Sequence, residues 1–264
     1  MSAPGIGVHP DLPTTFVHFT GRPRGVGDNP PVFAGEILDG RVGELASASA
    51  WLARAFAEAA GEKVDADFGA EARLVSILIA GKLNGASVFG TSEPVICFSE
   101  PSEAARRIML RDGVVASRGP YAPWGLLFHR AALIERGVRP VLYLSTDELD
   151  ATDGLPTKLR NRRVRYDPGS ADWLHEREWR LCFDAQEQPE LLITPDLVAG
   201  VIVGRQGWVP PLFTTTQTLA VGPGVTVGRT WSSRSAHGLN RWWWTGEDLV
   251  EDGTIDLDFP DFGA

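Results

Sequence analysis

The segment His175-Glu176-Arg177-Glu178-Trp179-Arg180-Leu181-Cys182-Phe183 carries the residue types and spacing best suited to chemistry in this chain. As a strand it separates Glu176, Glu178, Arg180 and Cys182 on one face from Arg177, Trp179, Leu181 and Phe183 on the other, because successive side chains alternate. The second set is apolar after its first residue and suits a core, which turns the carboxylates toward solvent or into a pocket. A carboxylate held on a strand can stabilise developing positive charge or move a proton. The same pattern fits an edge strand kept soluble by its Glu and Arg residues.

Other groups invite similar pairs of readings. His18, between Val17 and Phe19, can hydrogen-bond a ribose hydroxyl or an amide while neutral, with Thr20 on the same strand face, or it can be a satisfied structural histidine. Arg160, Arg162, Arg163 and Arg165 crowd the stretch that ends at Tyr166. Guanidinium groups grip phosphates and Tyr166 can stack on a base, so this stretch is a candidate for a nucleic-acid acceptor or a cofactor pyrophosphate. A solvated loop paired with nearby aspartates is the other reading. The run Arg241-Trp242-Trp243-Trp244 either stacks bases or forms a hydrophobic cap.

Several chemistries are disfavoured. The five histidines are scattered without metal-ligand spacing, so no metal is expected. Ser99 lies outside any G-x-S-x-G elbow, which disfavours a serine hydrolase. Cys97 and Cys182 each stand alone in apolar segments and read as free buried thiols. The glycines from Gly21 to Gly27 enclose Pro23 and lack a following helix start, so a Rossmann fold is not expected. A formal charge of -9 disfavours non-specific binding to nucleic acid by the whole surface while leaving a local basic patch free to act.

The elements that must position these groups alternate irregularly. Thr15–Thr20 reads as a strand, followed by a Gly/Pro-rich loop from Gly21 to Gly35. Helices are expected at 46–60 and at 70–80, the latter stopped by Gly81, with a third at 102–110. Short strands are expected at 95–99, 124–128, 140–144, 198–204 and 221–231. The polar stretch 146–172 reads as a long functional loop, and 247–264 as a peripheral acidic tail after a single domain over 1–246. Without regular βαβ spacing, the pattern indicates an α+β fold with mostly antiparallel pairing. The opening residues lack a basic region and an apolar run, so neither a secretory signal nor a membrane span is expected, and a cytoplasmic location follows.

The order Val17-His18-Phe19-Thr20, then Leu74-Val75-Ser76-Ile77-Leu78-Ile79-Ala80-Gly81-Lys82-Leu83, then Val95-Ile96-Cys97-Phe98-Ser99-Glu100, and finally Glu178-Trp179-Arg180-Leu181 with Val201-Ile202-Val203, resembles DarT-like ADP-ribosyltransferases. The C-F-S-E and E-x-E-W-R elements are also similar to those of bacterial proteins, some associated with abortive phage infection. The resemblance implies a split, mostly antiparallel sheet with flanking helices and NAD as substrate. It implies Glu178 as the catalytic carboxylate with Glu176 as its paired acid, and His18 and Thr20 at the cofactor. Ser99 would line the nicotinamide pocket, while Tyr121 would stack on the nicotinamide or stand as a core or rim aromatic. Arg160, Arg162, Arg163, Arg165 and Tyr166 would receive a nucleic-acid acceptor, in a toxin or phage-defence role with an antitoxin protein as a possible partner. A non-enzymatic binding module of a defence system and an NAD glycohydrolase are the alternatives.

Overall fold

Alternation along β1 (Thr15–Phe19) buries Phe16 toward one side and Val17 toward the other, so both faces of this strand must be covered. The computed structural model describes residues 12–21, 70–88, 90–113, 120–168, 172, 174–209, 214–222, 225–232 and 237–257. The helix expected at 46–60 and most of the loop expected at 21–35 lie outside them.

An eight-stranded sheet holds β1 near its middle, in the order β14 (Leu249–Leu257), β13 (His237–Trp244), β10 (Val198–Val203), β4 (Gly125–His129), β1, β3 (Val95–Ser99), β8 (Glu178–Cys182) and β5 (Arg139–Pro140). Neighbouring strands are antiparallel except β10 and β13, which run parallel. The fold is therefore mixed α+β with a largely antiparallel sheet and flanking helices.

The first face carries the larger core. Phe16, Phe98, Leu126, Phe128 and Leu181 pack there against Leu74 and Leu78 of α1 (Ala70–Ala80). Gly81 ends α1 with φ +64 and donates its N–H to Ile77 O, the stop that its position after the apolar run implied. The second face gathers Val17, Leu127 and Ile202, with Phe19 and Trp242 against them. Over this face lies α2 (Glu103–Arg111), capped by Ser102, whose Oγ accepts the N–H of Ala105 at 3.2 Å.

Three expectations are corrected. The strand expected at 140–144 divides, because Pro140 lacks the N–H needed to continue a ladder. Its first part, β5, pairs with β8, and β6 (Leu142–Leu144) pairs in parallel with β7 (Arg163–Arg165). The loop expected at 146–172 contains α4 (Thr146–Ala151) and α5 (Thr157–Arg160) as well as β7, and α3 (Arg130–Glu135) follows β4 upstream. A capping box starts α4, with Ser145 and Glu148 exchanging side-chain and backbone hydrogen bonds. That S-x-x-E signature is present in the sequence but hidden in a polar setting. Finally, residues 249–257, expected in a peripheral tail, form β14 and bury Ile255.

The remaining pairs are small. β2 (Lys82–Asn84) joins β9 (Glu190–Leu192), and β11 (Thr214–Gly222) joins β12 (Val225–Ser232), both antiparallel. No helix among the described residues is long and apolar enough to cross a membrane.

Candidate functional site

Two of the segments that carry the family resemblance lie side by side. Pairing of β3 with β8 sets Ser99 opposite Glu178, Phe98 opposite Trp179 and Cys97 opposite Arg180. Trp179 faces the first side and packs on Phe16 at 4.8 Å. Strand alternation then puts Glu178, Arg180, Ser99 and Cys97 on the second side.

The expected strand 175–183 is shorter than its pattern suggested. β8 begins at Glu178, and Leu174–Glu176 form a 3₁₀ turn joined to it through Arg177 at φ +45. A non-glycine residue at positive φ stores strain of order 1 kcal/mol. The kink means that simple alternation does not orient Glu176. Its carboxylate accepts a hydrogen bond from the phenol of Tyr121 at 2.8 Å, and Tyr121 stacks on Phe19 with centroids 4.7 Å apart.

Glu178 is held tightly. Arg180 donates to it from Nε at 2.7 Å and from a terminal nitrogen at 3.3 Å, and the two side chains are only 11% and 5% exposed. Arg180 also donates to the carbonyls of Asn161 and Arg163. Tyr143 Oη accepts the backbone N–H of Glu178 at 2.8 Å. Burial, aided by the field of Glu178 and Glu176, pushes the Tyr143 phenol up to about 12. Burial and then the field of Glu178 raise the Cys97 thiol well above its ordinary value, so it stays protonated and is no nucleophile. Both acids therefore act on the same two neighbours, Cys97 and Tyr143.

Glu100, the glutamate of the C-F-S-E element, has a structural part. It is 3% exposed and receives Arg130 Nε at 2.6 Å and the indole N–H of Trp179 at 3.1 Å. Its backbone N–H meets the carbonyls of Glu176 and Arg177, so it fastens the kinked entry of β8 to the end of β3.

His18 stands apart from the acids. It pairs with Leu126 across β1 and β4, on the first face, opposite to Glu178. Its Nδ1 lies 2.8 Å from the carbonyl oxygen of Cys97, and its ring meets Phe98 edge-on. The structure does not bring His18 and Glu178 to one cleft. Thr20, 5% exposed, directs its hydroxyl to the carbonyls of Ala70 at 2.6 Å and Trp124 at 3.1 Å, which ties the end of β1 to the start of α1. Both residues act on backbone carbonyls instead of lining the acid cluster.

The basic stretch is engaged in hydrogen bonds and ion pairs of its own. Arg162 donates twice to Pro140 O, and Arg163 donates to Leu149 O, Thr152 Oγ1 and Asp153. Arg165 pairs with Asp167, Arg160 reaches Thr157, and Tyr166 meets Tyr143 edge-on. These groups fasten α4, α5 and β7 to the sheet edge, and Arg165 stays 45% exposed. Among the described residues no cluster of His, Cys, Asp and Glu could hold a metal ion.

Sequence reasoning missed Arg180 as the partner of Glu178, although the two share a strand face at i and i+2. Tyr143 left no signal, since it approaches Glu178 from a distant segment. No protein-family model matches the chain, and no curated protein or solved structure matches it either.

Proposed function

We propose that this chain is an NAD-dependent ADP-ribosyltransferase in a toxin or phage-defence setting, with nucleic acid as the acceptor class, Glu178 as its catalytic carboxylate and Glu176 as the second acid. The observation that carries the reading is the register that sets Ser99 opposite Glu178 on one sheet face, with Glu176 held by the Tyr121 of the Phe19–Tyr121 ring pair. The positive φ between the acids supports it, because strained backbone collects where geometry serves chemistry.

Cleavage of the nicotinamide–ribose bond develops positive charge on the ribose, and a fixed carboxylate stabilises that state more than the ground state. Arg180 fixes Glu178 in one rotamer and occupies part of its lone-pair capacity, leaving the rest for a ribose hydroxyl. In this reading Glu176, held by Tyr121, takes the proton of the incoming acceptor as the new bond to the ribose forms. The Phe19–Tyr121 pair offers a ring face for nicotinamide. His18 is a positioning residue in this reading, acting through the Cys97 carbonyl and not on NAD itself.

One observation favours a binding module without turnover: the Glu178–Arg180 pair is bidentate and nearly buried, as a structural ion pair would be. Labelled NAD separates these readings, since a transferase moves label to an acceptor, a glycohydrolase releases free ADP-ribose and a binding module does neither. Glu178→Gln keeps the side chain's shape and one acceptor oxygen for Arg180, and loses the charge and the second acceptor. It is expected to lower the melting temperature, because Arg180 is left nearly buried without its counter-charge, and the folded variant is expected to lose nicotinamide release by about 100-fold or more. Unchanged turnover would remove Glu178 from the mechanism.

A further inference from the structure

We propose that the cleft between α2 and the second face of the sheet binds a nucleoside monophosphate, its base against tryptophan and its phosphate against Arg106. The cleft has a volume of about 530 Å³, within the range of small-molecule sites. It is distinct from the acid cluster and does not rest on the transferase reading.

The tryptophan run explains one wall. Alternation along β13 sends Trp243 into the first-face core, while Trp242 and Trp244 both line the cleft. The half-buried Trp242 offers stacking surface that accepts any base, and the buried Trp244 adds to the apolar wall. The carboxamide of Asn240, two residues earlier on the same face, supplies a donor and an acceptor side by side for a base edge.

The opposite wall supplies charge. Arg107 is committed, to Asp248 at 2.8 Å and Glu103 at 2.6 Å. The guanidinium of Arg106 beside it makes no ion pair or hydrogen bond with any described residue, and burial lowers its pKa. The two acids nearest to it are those already held by Arg107. A half-buried guanidinium in this state gains most from a phosphate, which it can grip bidentately. One uncommitted cation fits one phosphate group, and the chain's charge of -9 argues against a long phosphate strand along this face.

The cleft and the acid cluster share a sheet face. Glu178, Ser99, Val17 and Leu127 are successive register partners across β8, β3, β1 and β4, and Leu127 lines the cleft. Three strand steps put Glu178 about 14 Å from Leu127.

Calorimetric titration of the full chain with AMP, GMP, CMP and UMP, and with adenosine and inorganic phosphate as partial ligands, tests the assignment. At least one monophosphate is expected to bind with Kd below about 1 mM, with its parts at least roughly ten-fold weaker. Arg106→Gln should lower that affinity to the level of the nucleoside without changing the melting temperature, and Trp242→Leu should weaken nucleoside and nucleotide alike. Glu178→Gln should leave the affinity unaltered, so loss of transferase activity and loss of this site are separable. The proposal fails if no monophosphate binds at about 10 mM, if phosphate alone binds as well as the nucleotide, if Arg106→Gln binds normally, or if Glu178→Gln abolishes binding.

Discussion

At the scale of the residue, the acid cluster is a set of mutual obligations. Arg180 is 5% exposed and satisfies Glu178 together with two carbonyls, so Arg180→Ala leaves a nearly buried carboxylate without its counter-charge. The expected cost is about 3 kcal/mol or more, readable in the urea midpoint. Tyr143 gives a pH signature. Burial raises its phenol to about 12, above the ordinary value of 10.0. The folded state thus binds this proton more tightly than the unfolded state, so the associated stability is intact below pH 10 and declines as pH rises toward 12. Absorbance of phenolate should show a step at about 12, and Tyr143→Phe should delete that step. Absence of the step would contradict the burial assigned to Tyr143.

At the scale of the element, polarity misled where local capping informs. The Thr146–Ala151 helix exposes most of its side chains and has no apolar periodicity, yet Ser145 and Glu148 satisfy its first N–H groups reciprocally. Ser145→Ala is expected to cost about 1 kcal/mol and to speed hydrogen exchange in residues 146–151, leaving α1 unchanged. Strand β8 was legible in its faces but not in its start, because nothing local in Glu176-Arg177-Glu178 announces a positive φ. The Glu100 carboxylate, paired with Arg177, and its backbone N–H, which donates to the carbonyls of Glu176 and Arg177, hold that kink from outside.

At the scale of the whole molecule, the basic stretch shows how topology decides what charge is for. Arg162 and Arg163 hydrogen-bond backbone carbonyls where β6 and β7 meet, so the double change Arg162→Ala with Arg163→Ala is expected to lower stability by roughly 2 kcal/mol. It should leave the salt dependence of any nucleic-acid binding unaltered. A flattened salt slope with unchanged stability would restore the arginines as a phosphate contact. Similarly, the pairing of β14 with β13 draws an acidic segment into the sheet, because Ile255 supplies an inward residue that composition alone obscures.

From residue order alone followed the α+β class, the antiparallel tendency, the α1 helix with its glycine stop, and a chemically divided glutamate strand. These depend on alternation, helical spacing and backbone chemistry, all short-range and written locally. Only tertiary structure decided that His18 and Glu178 occupy opposite faces, that Arg180 and Tyr143 hold the acid, and that alternate tryptophans open onto a cleft beside Arg106. Those outcomes depend on which strands become neighbours and in what register, and register is set by burial summed across the whole sheet.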